Sequence, residues 1–438
     1  MKYFSYLVIF LTVLCIYSWM VNQAAIRGNN FKAFHKQLIQ FATFPQKIED
    51  VFRDFEKEQI PVSYLVKDNN FSPVNKLNKD LFGVTSIWNQ EIGRWEILLI
   101  NLRNDSILHT WHYGKKKFKR SNVDYIYCTI KEPIILENKD LIGHLYASPN
   151  MFRLDSNSNV IWKNEEYDFH HSLNQDAEGY IWTCTRDIFK GKYENNGGGI
   201  VKNVDGQVFS YKEEYIDKID PEDGKILFHK GVAEILIDNG LKGLFYGSSL
   251  YDPLHINDVQ PALKDSKYWK KGDVFISIRN RSTIILYRPT TNKIVKLIQA
   301  PIVNQHDIDI ISDHEISIFN NNIIFSTGFK GNSEEKAMDA LNTNEIIVYN
   351  FEKDSFSILA QEVFEKEEIN TFFQGLSEVL SDGSLFVEEQ NSGIYFLIKD
   401  NEVILRKVLP VNNTNYIQKP NWMRVYENLP FQMIQTKN

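Results

Sequence analysis

Residues 169–182 open with Phe169-His170-His171-Ser172-Leu173 and, after a short polar stretch, continue as Ala177-Glu178-Gly179-Tyr180-Ile181-Trp182. Two apolar runs joined by a Gly-containing turn read as a β-hairpin. The phrase recurs: Asn304-Gln305-His306-Asp307-Ile308 leads to Ser312-Asp313-His314-Glu315-Ile316-Ser317, and Phe373-Gln374-Gly375-Leu376-Ser377 leads to Ser381-Asp382-Gly383-Ser384-Leu385-Phe386. In each copy the turn residue, Gly179, His314 or Gly383, stands eight positions after His171, His306 or Gly375. A fourth copy opens at Leu254-His255-Ile256-Asn257-Asp258 and turns at Lys271-Gly272-Asp273, with about nine extra residues around Lys264 to Trp269.

A second hairpin phrase alternates with the first. It runs from Met151-Phe152-Arg153-Leu154-Asp155 to Val160-Ile161-Trp162, from Ile285-Leu286-Tyr287-Arg288-Pro289 to Lys293-Ile294-Val295, and from Ile347-Val348-Tyr349-Asn350 to Phe356-Ser357-Ile358. The charged stretch near Glu362 to Glu368 is the exception to this strand-and-turn texture. A β domain of more than 300 residues has to be closed or repetitive to hide its sheet edges. Two hairpins per repeat suit four-stranded blades set radially, so an all-β, six-bladed β-propeller is expected over residues 61–438.

Tyr3 to Val21 is an uncharged run of nineteen residues, about 28 Å long as a helix and so of bilayer-spanning length. An N-terminal transmembrane helix, an uncleaved signal-anchor, is therefore expected over residues 1–25. Cys15 follows Leu14 rather than a small residue, which argues against lipid attachment there. Phe31, Phe34, Leu38, Phe41, Ile48, Val51 and Phe55 recur at helical steps, interrupted by Pro45. They predict a helical linker or stalk over residues 26–60, through which the chain could form a homo-oligomer. These segments imply a single-pass membrane protein whose propeller faces the periplasm or the extracellular side.

Lys and Arg number 49 against 56 Asp and Glu, and a net charge of −7 gains nothing general from a phosphate backbone, so nucleic acid is not an expected partner. Cys15, Cys128 and Cys184 lack the spacing of a zinc or redox motif. Cys128 and Cys184 could pair if the fold brought them together, but they read as inert thiols. Lys115-Lys116-Lys117-Phe118-Lys119-Arg120 reads as a solvated loop, and Gly197-Gly198-Gly199 as a turn without the setting of a phosphate loop.

Innermost strands of a propeller run along the central axis, so equivalent residues of different blades converge at one channel mouth. His171, His255 and His306 read as equivalent positions. Three imidazoles could hold zinc, although Asp258 and Asp307, one residue on, would be turned to the opposite face. Alternatively, crowded imidazoles beside an arginine depress one another's pKa and leave a neutral, nucleophilic ring, which suits covalent group transfer.

In their order along the chain, Leu154-Asp155 to Val160-Ile161-Trp162, His170-His171, His255-Ile256-Asn257, Ser277-Ile278-Arg279-Asn280, Gln305-His306-Asp307, Ile318-Phe319-Asn320 and the Gly375–Phe386 hairpin resemble the bacterial aryl-sulfate sulfotransferases. The resemblance covers about Asp140 to Ile398. It implies a six-bladed propeller that moves a sulfuryl group from an aryl sulfate to a phenol without a nucleotide donor and without a cofactor. It also implies His306 as a nucleophile that becomes a sulfohistidine, with His171 and His255 assisting and Asn257 and Arg279 binding the group in flight. Where the resemblance implies a β-rich dimerisation domain before the propeller, the anchor and a helical stalk are expected instead. The insertion before Arg279 leaves Arg281, expected on the same strand face, as its competitor. On a regular strand His170 points away from His171. Two other readings stand beside this one: a non-catalytic propeller that binds an anion or a partner protein, and a quinone-dependent propeller, whose tryptophan-docking repeats are not apparent.

Overall fold

Strands rich in Ile, Val, Phe and Tyr, cut by Asp, Asn and Gly turns, pair into successive antiparallel sheets. The computed structural model describes residues 2–26, 64–67, 71–113, 129–146, 148–188, 200–204, 207–246, 252–326, 337–340, 343–411 and 414–431. The chain divides into two units, Met1–Gln59 and Ile60–Asn438.

In the second unit five sheets are four-stranded blades. Blade 1 orders Arg424–Tyr426, Phe82–Asn89, Arg94–Asn101 and Ile107–His112; blade 2 orders Ile134–Ile135, Leu141–His144, Met151–Leu154 and Val160–Asn164. Blade 3 orders Asp168–Gln175, Ile181–Arg186, Glu214–Ile219 and Ile226–Gly231; blade 4 orders Ile256–Pro261, Val274–Ile278, Thr283–Arg288 and Lys293–Ile298. Blade 5 orders His306–Ile310, Glu315–Asn320, Glu345–Asn350 and Ser355–Leu359. Both hairpin phrases of the sequence are thus present as paired strands.

The expectation of six blades is corrected to five. Leu376–Val379, Leu385–Glu389, Ile394–Lys399 and Glu402–Pro410 pair in blade order, but that sheet also takes in Tyr416–Gln418, Leu65–Lys67 and Val74–Asn75, giving seven strands. Hairpin spacing does not reveal that segments from both ends of the domain add to one sheet. A late segment also completes the first blade, since Arg424–Tyr426 pairs with Phe82–Val84 as that sheet's first strand.

A belt of side chains ties each inner strand to the next. Glu132 accepts the Leu173 N–H (3.4 Å), Ser172 that of Val259 (3.2 Å), Asp258 that of Ile308 (2.7 Å) and Asp307 that of Ser377 (2.7 Å). Glu388 closes it by accepting the N–H groups of Trp422 and Met423. Asp258 and Asp307 thus each accept a backbone N–H of the next blade. The belt also fixes equivalence: Lys131, His171, Asn257 and His306 each stand one residue before a belt residue. His255 lies two residues upstream of that position, which corrects the expected register.

Burial pushes Glu388 up to about 7, against the pull of the Met423 N–H and of Lys131. Its folded value lies above its ordinary 4.5, so folded protein keeps a proton that unfolded chain releases over that window, and stability falls as pH rises through it. In Glu388→Gln the loss of thermal stability between pH 5 and pH 8 is expected to be smaller than in the parent protein. Parallel melting-temperature profiles would contradict this.

In the first unit, Lys2–Ile26 is helical. Among the described residues, however, no helix is long and apolar enough to cross a membrane. The expected transmembrane helix, single-pass anchorage and outward-facing membrane localisation are not upheld. The stalk, the basic run at 115–120, Cys128 and Gly197–Gly199 lie outside the described residues; Cys184 is a free, buried thiol. Two short helices that the sequence did not signal, Val232–Asp238 and Lys242–Tyr246, link blades 3 and 4, and Gln361–Lys366 falls in the charged stretch.

Candidate active site

The inner strands of blades 3, 4 and 5 lose their ladder at one level, between His170 and Leu173, Ile256 and Asp258, and His306 and Ile308. Left-handed backbone accompanies each break, at His171 (φ 60°), His255 (φ 50°) and Asp307 (φ 43°). Non-glycine residues rarely adopt this conformation, and such strain collects at functional sites. The breaks turn three imidazoles inward: the His171 ring centre lies 5.4 Å from that of His255 and 5.9 Å from that of His306. Trp422 closes one side, 5.7 Å from His171 and 6.4 Å from His306, and Tyr146 stands edge-on to His171 at 5.3 Å.

Each ring has its own polar partner. His306 Nδ1 is 2.6 Å from Oδ1 of Asn321, at the end of strand Glu315–Asn320. His255 Nδ1 is 2.6 Å from Asp252, whose other oxygen accepts from Lys212 at 2.9 Å. His171 Nδ1 is 2.8 Å from Nδ1 of His170. The left-handed turn at His171 breaks the strand alternation, so His170 faces its neighbour instead of pointing away as expected. Behind it, His170 Nε2 is 3.7 Å from Glu214. Asn321, Asp252 and His170 were not found as site residues from sequence. Asp252 lies three residues before His255 in a stretch without periodicity, and Asn321 reaches His306 only across a hairpin.

The chain does not continue as a strand after Ile278; Arg279–Arg281 form a single 3-10 turn. The expectation of one shared face for both arginines is thereby corrected. Arg281 is bound to the Pro253 carbonyl, while Arg279 is buried, donates to Asn280 (3.0 Å), lies over the Phe373 ring (5.9 Å) and acts electrostatically on His306. Asn257 donates to the Gln305 carbonyl at 2.8 Å and so props the backbone just ahead of His306. Lys131, overlooked in the sequence, is buried at the belt-equivalent position of blade 2, bonded to Gln374 and 5.2 Å over the Tyr146 ring.

Burial first, then Arg279 and His255, holds His306 well below the usual histidine range, although Asn321 and the Asn304 carbonyl pull upward. Burial and the neighbouring rings, with Lys131, do the same to His171. Both are neutral at neutral pH. The three histidines lack the mutual spacing of zinc ligands. The cluster with ligand spacing among the described residues is Glu214, Asp252 and His255, not the three histidines. There the Lys212 ammonium sits 3.5 Å from Glu214 and 2.9 Å from Asp252, supplying the positive charge itself.

The neutral rings of His171 and His306, with His255 and a buried arginine beside them, form a cluster whose chemistry suits an anionic group. The family model described as arylsulfotransferase (ASST) matches residues 132–406, more than half of the sequence, and the chain belongs to that family. No curated protein matches it. Among solved structures, a protein of unknown function from Bacteroides caccae aligns with 10% identity and a TM-score of 0.47, covering 79% of this chain and 98% of that one. Catalytically inactive virginiamycin B lyase from Staphylococcus aureus with quinupristin aligns with 10% identity and a TM-score of 0.39, covering 78% and 89%. Apo AztD from Citrobacter koseri aligns with 9% identity and a TM-score of 0.36, covering 79% and 97%.

Proposed function

We propose that this arylsulfotransferase-type protein carries a sulfuryl group from an aryl sulfate to a phenol through a covalent adduct on His306. The observation that carries the reading is the convergence of the His171, His255 and His306 rings beside Arg279. A ring nitrogen of His306 gives its lone pair to sulfur, the bond from sulfur to the aryl oxygen breaks, and the phenolate leaves with a proton from an assisting histidine. In the second half the acceptor's oxygen attacks sulfur, its proton passes to that histidine, and the nitrogen–sulfur bond breaks to restore His306.

Phenols ionise near ~10, so proton donation assists departure of poor leaving groups. Asp252 favours His255 for this task, because a carboxylate at 2.6 Å from Nδ1 supports the imidazolium that gives its proton to the leaving phenolate and re-forms on uptake from the acceptor. His171 is backed by another imidazole instead. Charge on the sulfuryl oxygens is met by Arg279, with Lys131 as a second cation. Steady-state rates with a chromogenic aryl sulfate and a phenol are expected to give the parallel double-reciprocal lines of a ping-pong reaction. Saturable binding of the aryl sulfate without phenol release would overturn the reading in favour of a non-catalytic propeller.

A further inference from the structure

We infer that Asn321 is a positioning residue that fixes His306 as its Nδ1–H tautomer, leaving Nε2 as the atom that bonds to sulfur. The choice of Nε2 as attacking atom rests on the reading above; the tautomer is a property of the resting protein. Asn321 is fully buried, and its amide nitrogen donates to two backbone carbonyls, Thr371 at 3.0 Å and Gln374 at 2.7 Å. Both N–H bonds are thereby used. Flipping the amide would set its oxygen against those two carbonyl oxygens, so Oδ1 is held toward His306 Nδ1 at 2.6 Å.

A second amide locks this arrangement. Asn344 donates to the backbone carbonyls of Asn321 (2.8 Å) and Thr371 (3.1 Å), while its Oδ1 accepts the Thr371 N–H. An amide oxygen only accepts, so Nδ1 must carry the proton. A neutral imidazole has one proton to carry, and Nε2 keeps its lone pair. Asn suits this place better than a carboxylate, which would orient the ring equally but set negative charge beside an incoming anion. The charged and titratable groups facing the ring are Arg279, His255 and His171.

The test is long-range proton–nitrogen NMR of the full chain labelled with 15N-histidine, with the His306 signals assigned by their disappearance in His306→Asn. At neutral pH the parent protein is expected to show a protonated, pyrrole-type Nδ1 and an unprotonated, pyridine-type Nε2. A protonated Nε2 would overturn the inference whether or not sulfate is transferred. The expected tautomer in a protein that forms no adduct would leave the inference standing and defeat the functional reading alone. Asn321→Ala is expected to move both signals toward a tautomer mixture and lower kcat about 100-fold or more. Asn321→Asp is expected to restore the tautomer but carry the acidic limb of the pH–rate profile to higher pH, because a carboxylate favours the imidazolium. Unchanged His306 nitrogen signals in a folded Asn321→Ala protein would also overturn the inference, and the parent spectrum decides the matter if that variant does not fold.

Discussion

His306→Asn is expected to lower turnover of an aryl sulfate by at least about 10⁴-fold, the scale seen when a covalent nucleophile is removed. Asn keeps a polar side chain of similar reach, but its amide nitrogen has no basic lone pair to give to sulfur. Replacement removes one buried neutral ring held by Asn321 and the Asn304 carbonyl, so the fold is expected to survive and thermal unfolding should shift little. Donor binding should also persist, because Arg279 and the other two histidines remain. A variant with ordinary turnover would place the covalent step elsewhere, and one that fails to fold would be recognised by its melting curve before any rate is read.

Arg279→Met is expected to reduce kcat by about 10²- to 10³-fold, the effect of removing one preorganised donor aimed at charge that develops in the transition state. Arg279 is buried at the site and lowers the His306 pKa. Its loss therefore makes His306 easier to protonate, and the acidic limb of the rate profile should move to higher pH. Lysine is expected to restore only part of the rate, since a point charge lacks the guanidinium's planar array of donors. The matched control is Arg281→Met, whose side chain is tied to the Pro253 carbonyl and should affect rates only a few-fold. A reversed order of the two effects would exchange the roles of these arginines.

The hairpins were legible because turns of fixed spacing follow each inner strand: Asp176 accepts the N–H groups of Glu178 and Tyr180 around Gly179 (φ 90°), and Asp382 accepts that of Ser384 beside Gly383 (φ 78°). What spacing could not show is pairing between distant segments, and the seven-stranded sheet depends on that. The three histidines were legible as a group, yet their register was not. His255 reaches the cluster from two residues upstream of the belt-equivalent position, because the inner strands break locally there. The same break hid His170, since alternation along a strand holds only while the backbone stays extended. Asn321 and Lys131 carry no local signal at all. One is chosen by a hairpin's register and the other by a belt bond from Glu132 to the next blade.

The most direct test of the account is mass spectrometry of the protein after incubation with a chromogenic aryl sulfate in the absence of acceptor, with phenol release followed in parallel. The account predicts one sulfuryl group on the peptide that contains His306, discharged on adding a phenol and missing from His306→Asn. Phenol release without that adduct, or an adduct that persists in His306→Asn, would contradict it.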